Sequence, residues 1–89
     1  MIVHVGSVLH EYTGGRAELE LELSKGATVA AVLAELERRF PGLRFRVVDE
    51  QGRVRQHMRV YVGSAPISDL SHRIAAGDEL HLLGALSGG

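Results

Sequence analysis

The sequence predicts an α+β domain in which a mixed sheet of four to five strands curls around one helix. Three stretches lead to this prediction. Apolar and charged residues alternate in "RAELELELS" (16–24), apolar residues step by three and four in "GATVAAVLAELERRF" (26–40), and "ELHLLG" (79–84) is a short apolar strand. The helix must bury its apolar side against a sheet, because the chain offers no other large apolar surface.

The composition is that of one small globular domain. The chain has 89 residues, 45% of them hydrophobic, which argues against disorder. Ten Lys and Arg against eleven Asp and Glu leave a net charge of -1, so nothing favours nucleic acid or a membrane as partner. Since no stretch reads as a signal peptide or a membrane span, we expect a cytoplasmic protein. The absence of cysteine excludes disulfides and thiolate zinc sites.

The N-terminal third predicts a hairpin. The β-branched stretch "IVHVGSVLH" (2–10) is the first strand, Gly14-Gly15 marks the turn, and residues 16–24 form the second strand. The alternation divides the second strand into an apolar side and an acidic side, formed by Ala17, Leu19, Leu21 and Leu23 on one face and Glu18, Glu20 and Glu22 on the other.

The helix is predicted to begin after Thr28, a plausible N-cap, and to end at Pro41-Gly42. Its apolar residues fall on one stripe, which comprises Val29, Val32, Leu33, Leu36 and Phe40.

The C-terminal half predicts the remaining strands. Residues 43–56 show short alternation around the turn "DEQG", and the strand that follows has Met58, Val60 and Val62 on one face. Residues 68–74 predict a single helical turn, and residues 79–84 predict the last strand. If this strand pairs in parallel with the first, through a right-handed crossover, the domain comprises residues 1–84 and a flexible tail comprises residues 85–89.

The element order, the capped helix, the "GDEL" turn before the last strand and the terminal Gly88-Gly89 resemble the ubiquitin-like β-grasp sulfur carriers of the MoaD/ThiS family. The segment "VVDEQGRVRQHMRVYV" is most similar to the CysO type. The tail reads "LSGG", which departs from the "VAGG" ending common in the family.

This resemblance implies that the chain is a substrate of enzymes and not itself an enzyme. An activating enzyme of the MoeB/ThiF type would adenylate the carboxylate of Gly89 with ATP and magnesium, while this chain binds no cofactor. A persulfide sulfurtransferase or cysteine desulfurase would supply sulfur to form a thiocarboxylate. A sulfur-accepting synthase would then receive the sulfur for cysteine biosynthesis or for molybdopterin/thiamine-type biosynthesis. This synthase would be either cysteine synthase-like or the large subunit of molybdopterin synthase. Gly88, Ser87 and Leu86 would let the terminus enter a narrow active site, because glycine has no Cβ.

A carrier also needs a docking surface for these partners. Arg53, Arg55, Arg59 and Tyr61 predict a basic, partly aromatic patch on the outward face of the sheet, although an ordinary solvated face has the same composition. Leu82 and Leu83 are adjacent, so one is expected in the core and the other could dock a partner.

The five histidines, at positions 4, 10, 57, 72 and 81, do not predict a metal site, because a zinc site needs three or four converging ligands and the sequence pattern does not bring that many together. His4, His10 and His81 would nevertheless come near one another if the first and last strands pair. The serines lack the context of a catalytic nucleophile.

Two other functions stay open at this point. A ubiquitin-like modifier would use the same activation and then join Gly89 to lysines of other proteins. A β-grasp interaction module would carry an inert tail and would keep its function without Gly88-Gly89.

Overall fold

The computed structural model describes residues 1–85 of the chain. It contains a five-stranded sheet in the order β2-β1-β5-β3-β4, in which β1 and β5 are parallel and the other neighbouring strands are antiparallel. The predicted α+β class, the mixed sheet and the parallel pairing of the first and last strands are therefore confirmed. The elements are β1 (Ile2–Val5), α1 (His10–Thr13), β2 (Glu18–Glu20), α2 (Val29–Arg39), α3 (Leu43–Val47), β3 (Met58–Val62), β4 (Ala65–Pro66) and β5 (Glu79–Gly84).

The main helix, α2, forms as the sequence predicts. The Thr28 hydroxyl accepts a hydrogen bond from the Ala31 N–H at 3.2 Å, which satisfies one of the free donors of the first turn. The apolar stripe is buried at Val29, Val32, Leu33 and Leu36, and Phe40 is partly buried beside it. These side chains form one core with the inner face of the sheet, to which the strands contribute Val3, Val5, Leu19, Met58, Val60, Val62, Leu80 and Leu82.

The first predicted strand is too long. β1 ends at Val5, and the chain then forms a 3₁₀ turn at Ser7–Leu9 and the short helix α1. The bend buries Leu9 completely in the core, and the Leu9 N–H donates to the Gly6 carbonyl oxygen at 3.0 Å. Gly14 therefore ends α1 in the left-handed conformation, with φ of 67°, instead of forming a tight hairpin turn.

The second strand is also shorter than predicted, but its antiparallel pairing and the burial of its two faces agree with the prediction. β2 covers only Glu18–Glu20 and pairs antiparallel with β1. Leu19 and Leu21 are buried while the glutamates are exposed, as the alternation predicts; Ala17, however, is exposed.

The expectation of a strand before the "DEQG" turn is wrong, because residues 43–47 form α3. Gly42 precedes this helix at φ of 97°, and the Glu37 carboxylate accepts hydrogen bonds from the N–H groups of Gly42 (2.9 Å) and Arg44 (3.0 Å). Leu43 and Val47, spaced by four, are both fully buried. The turn itself is present, and beside it Val48 and Val54 form an isolated bridge.

The predicted helical turn in residues 68–74 is also wrong. The carbonyl oxygens of Leu70 and His72 accept hydrogen bonds from the N–H groups of Ala30 and Val29, each at 2.9 Å. These are free donors in the first turn of α2, so the segment caps the main helix with its backbone and forms no helix of its own. Within residues 1–85, none of the helices has the length and apolarity needed to cross a membrane.

Candidate functional site

The candidate site is the place where β5 ends and the tail begins. β5 lies between β1 and β3, so both of its edges are hydrogen-bonded. Its last residue, Gly84, lies opposite Met58, and the Ala85 N–H still donates to the His57 carbonyl oxygen at 2.9 Å. The chain therefore reaches the tail from a central strand held on both sides. Of the predicted tail, residues 85–89, only Ala85 is described; Leu86, Ser87, Gly88 and Gly89 lie outside the described part of the chain.

The two leucines before the tail point to opposite sides of the sheet, as predicted. Leu82 is 0% exposed and belongs to the core, whereas Leu83 is 37% exposed on the outer face. This removes Leu82 from the predicted docking residues and leaves Leu83.

Leu83 belongs to a small surface that surrounds the start of the tail, which we name the exit patch and define as Val8, Arg59, Tyr61 and Leu83. Leu83 lies opposite Arg59 in the β3–β5 pairing, and Tyr61 is on the same side of β3. Val8 is 41% exposed, and a Cβ added to Gly84, which would point to the side of β5 opposite Leu83, would lie only 3.0 Å from the Val8 Cγ1. The Arg59 side chain folds back and donates to the carbonyl oxygens of Gln56 and Met58, each at 2.8 Å. The exit patch thus has an exposed apolar side chain on each side of the strand end and one fixed cation on the outer side.

The backbone around the exit is closely packed. The Gly6 N–H donates to the Leu82 carbonyl oxygen at 2.8 Å. A Cβ on Gly6 would meet that oxygen and the Leu83 Cα at 3.3 Å each. Because these neighbours are backbone atoms, they cannot move aside cheaply. Gly6 therefore lets the loop after β1 approach the end of β5, which the sequence alone did not indicate.

The predicted basic patch is divided between two places. Arg59 and Tyr61 lie on the outer face, but the Arg55 guanidinium lies over the Phe45 ring, 4.3 Å from its centroid, and its Nε donates to the Phe45 carbonyl oxygen at 2.6 Å. Arg53 instead lies beside Asp49, with Nε 3.3 Å from the carboxylate. The reason is that residues before β3 form a loop against α3 and do not extend the strand.

Asp49 organises this loop. Its Oδ1 accepts from the N–H groups of Gln51 (2.9 Å) and Arg53 (3.0 Å). Hydrogen bonding from the Arg53 N–H, assisted by that of Gln51 and by the Arg53 charge, lowers the pKa of the Asp49 carboxyl below its ordinary value.

Farther along the outer face the structure brings together two of the predicted histidines. His4 of β1 lies directly opposite His81 of β5, and their rings stack with centroids 4.4 Å apart. His10 is not part of this group, because its Nε2 lies 2.9 Å from the Val5 carbonyl oxygen. Glu79 completes the group by contacting His4 Nε2, and this hydrogen bond lowers the pKa of the Glu79 carboxyl. The spacing of the histidines did not indicate Glu79, although its position two residues before His81 places both on one strand face.

A cleft lies at the other end of the sheet. It is lined by residues next to the starts of β1 and β5, among them Met1, Leu23, Arg73 and Ile74. Since the tail leaves from the end of β5, this cleft plays no part in the candidate site.

Comparison with known proteins assigns the class of the fold and then the family. The fold is the ubiquitin-like β-grasp. Its strand order is the one found here, and its helix, α2, connects the first two strands to the later strands of the sheet. The ThiS family model matches residues 3–89, and the chain belongs to this family.

The similar proteins cover almost the whole chain. The sulfur carrier protein CysO of Mycobacterium tuberculosis is 28% identical over 92 residues, which cover 98% of this chain and 96% of the relative. A chain in the crystal structure of the Amycolatopsis orientalis BexX/CysO complex superposes with a TM-score of 0.83 at 31% identity, covering 99% of this chain and 98% of the other. SAMP1 of Haloferax volcanii superposes with a TM-score of 0.81 at 30% identity, covering 100% and 98%.

Proposed function

We propose that this chain is a sulfur carrier, and that the carboxylate of Gly89 is the group that carries the sulfur. The observation that supports this most strongly is that the family match runs through residue 89, over almost all of the chain. The relative in M. tuberculosis is named a sulfur carrier protein. The fold agrees with this role, since it delivers the tail from a central strand at a surface that a partner can reach.

The chemistry requires activation because a carboxylate is a poor electrophile. A carboxylate oxygen of Gly89 attacks the α-phosphorus of ATP, held with magnesium by the activating enzyme, and pyrophosphate leaves. The terminal sulfur of a protein persulfide then attacks the acyl carbon, and AMP leaves with the bonding electrons. Two electrons from a thiol reductant cleave the resulting S–S bond, so that the sulfur stays on Gly89 as a thiocarboxylate.

The sequence of the tail suits these steps. Residues 82–89 carry no ionisable side chain that would repel the phosphates of ATP or pair with the thiocarboxylate. Glycine at positions 88 and 89 presents no Cβ to the walls of a narrow active site. The chain has no cysteine, so it has no thiol of its own to attack the activated carbonyl.

The partners in this proposal are a MoeB/ThiF-type activating enzyme, a persulfide donor and a sulfur-accepting synthase, acting in the cytoplasm. We assign their docking to the exit patch, because it is the apolar surface next to the tail. CysO of A. orientalis is found in a complex with BexX, which supports a carrier that works while bound to another protein. Likeness to CysO favours cysteine biosynthesis as the destination of the sulfur, with molybdopterin or thiamine-type synthesis as the alternatives.

One observation favours a second candidate function. H. volcanii SAMP1, named a small archaeal modifier protein, is as similar in fold and identity as the CysO chains. A modifier would use the same adenylation but would end as an amide between Gly89 and a lysine of another protein. The chemical state of Gly89 therefore separates the two functions.

The test is the intact mass of the chain after incubation with a MoeB/ThiF-type enzyme, ATP, magnesium and a persulfide donor. The carrier gives a product heavier by the difference between sulfur and oxygen, located at Gly89 by fragmentation. Isopeptide-linked Gly89 in material from the native cells would favour the modifier. If the chain stays unmodified, and deletion of Gly88-Gly89 leaves its cellular function intact, the tail is inert and the chain is an interaction module.

The matched variants are Gly89→Ala and Ser64→Ala, the second at an exposed turn remote from the tail. We expect Gly89→Ala to fold normally and to slow adenylation by about a hundredfold, the effect of misplacing a reacting group by about 1 Å. Ser64→Ala should react as the wild type does. Equal adenylation rates in the two variants would refute the steric role of Gly89.

A further inference from the structure

The outer face of the sheet carries a group of side chains that the sulfur-carrier function does not use. His4 on β1, and Glu79 and His81 on β5, each present a donor atom, and these atoms lie within 4.8 Å of one another. We propose that these three residues bind a divalent transition-metal ion, with Zn²⁺ as the metal whose ligand preferences they fit best.

The first support is the register of the sheet. In the parallel pairing of β1 and β5, His4 lies directly opposite His81. Glu79 precedes His81 by two residues, so all three side chains project from the same face. Three ligands on two hydrogen-bonded central strands are held by the backbone, which lowers the entropy cost of assembling a site.

The second support is the chemistry of the donors. Two imidazoles and one carboxylate form a ligand set known from zinc sites that keep a fourth position for water. A tetrahedral zinc ion with bonds of about 2.0–2.1 Å places its donor atoms about 3.3 Å apart. Donor atoms that now lie up to 4.8 Å apart therefore have to approach by at most about 1.5 Å, and the hydrogen-bonded His4 Nε2 and Glu79 carboxylate have to separate slightly. Both changes are within the reach of side-chain rotation. The His4 and Glu79 side chains have room to rotate, because they are 27% and 48% exposed.

The third support is a carboxylate behind one of the ligands. Glu18 of β2 places Oε1 3.6 Å from His4 Nδ1, while His4 Nε2 faces Glu79. A carboxylate that accepts a hydrogen bond from the N–H of one ring nitrogen leaves the other nitrogen free for the metal, and this arrangement is common around zinc-bound histidines. Glu18 has to approach His4 by a few tenths of an ångström to form this bond. Glu18 is thus a positioning residue that would direct Nε2 of His4 toward the ion.

The surrounding charge is favourable as well. Among the described residues on the outer side of β1, β2 and β5 there are three carboxylates, and neither lysine nor arginine occurs there. On the neighbouring β3, Arg59 lies beyond Tyr61, the residue opposite His81, and its side chain donates to the carbonyl oxygens of Gln56 and Met58. The N-terminal amine is near Glu20, at 3.8 Å, but it donates to the Leu21 carbonyl oxygen at 2.8 Å. The field at His4, Glu79 and His81 therefore attracts a cation.

The experiment is a calorimetric titration of the untagged full chain with ZnCl₂ in a non-chelating buffer near neutral pH. We expect one ion per chain, and transfer of the ¹⁵N signals of His4 and His81 to metal-bound positions. His4→Ala, His81→Ala and Glu79→Gln should each weaken binding at least tenfold, and Glu18→Gln by about 10–100-fold, the usual effect of losing such a supporting carboxylate. His72→Ala, at an exposed histidine outside the group, is the control and should bind as the wild type does.

The outcomes separate this site from the tail. Gly89→Ala should bind Zn²⁺ as the wild type does, so failure of the sulfur-carrier proposal leaves this one standing. The proposal is overturned if the wild type binds no Zn²⁺ at millimolar concentration, or if His4→Ala and His81→Ala bind unchanged. A stoichiometry of one ion per two chains, with dimers in solution, would likewise overturn a site built within one chain. Far-UV circular dichroism of each variant verifies that it is folded.

Discussion

Leu82 and Leu83 test whether one side of the end of β5 contributes to stability while the other side serves function. Alanine at position 82 removes three carbon groups from the core, which costs about 2.4 kcal/mol in transfer free energy at about 0.8 kcal/mol per group. The cavity left behind brings measured values for buried leucines to about 2.7–5.0 kcal/mol. Because Leu82 is 0% exposed in a core built from strands and helix, we expect its replacement to lower the free energy of unfolding by about 3–4 kcal/mol.

The same change at position 83 should cost much less. Leu83 is 37% exposed, so only about three-fifths of the transfer term applies, or about 1.5 kcal/mol at most. No closed cavity forms, because the side chain lies at the surface over Gly6. The predicted difference between the two variants is therefore about 2 kcal/mol in the free energy of unfolding.

Urea unfolding followed by far-UV circular dichroism measures both values, with the m-value held equal to that of the wild type. Equal costs at the two positions, or a larger cost at Leu83, would refute the division of the strand into a core side and an outer side.

The functional half of this prediction concerns the exit patch. Leu83→Ala should raise the KM of the activating enzyme for this chain while leaving kcat close to the wild-type value, because the side chain contributes to docking and not to the reaction. Phe45→Ala is the matched control, since Phe45 is also an exposed large apolar residue, at 56%, but lies on α3. Equal effects of the two variants on KM would show that the exit patch has no special role.

Three further predictions concern the stretch from the end of α2 to the turn "DEQG". Glu37→Ala removes the acceptor for the N–H groups of Gly42 and Arg44, and we expect a loss of about 1–2 kcal/mol of stability, measured by urea unfolding against exposed Glu22→Ala. Gly42→Ala places a Cβ at φ of 97° and should cost about 1–2 kcal/mol; a stability equal to that of the wild type would contradict this conformation. The Asp49 carboxyl should titrate below its ordinary pKa in a ¹³C NMR titration, because the Arg53 N–H donates to it. Since its pKa is lower in the folded chain, its contribution to stability is present above the ordinary value and is lost as the pH falls through the folded value; a midpoint at or above the ordinary value would contradict the hydrogen bonds seen here.

The sequence predicted the elements whose pattern repeats along the chain. The helix follows from apolar residues at spacings of three and four, with Thr28 before them, and the strand faces follow from alternation in β2 and β3. The opposite directions of Leu82 and Leu83 needed only the geometry of a strand. The role proposed for Gly89 came from its position at the end of the chain and from resemblance, and it stays a proposal.

The tertiary structure decided what depends on contacts between distant residues. The stretch after Val5 reads as a continuing strand, but burial of Leu9 in the core bends it into α1. The carbonyl groups of Leu70 and His72 accept hydrogen bonds from the free N–H groups at the start of α2, which no local pattern reveals. His4, Glu79 and His81 share a face because two strands 75 residues apart in sequence pair in parallel. Local periodicity is set by neighbouring residues and can be read directly, whereas burial and hydrogen bonding at these sites are satisfied by partners that only the folded chain brings near.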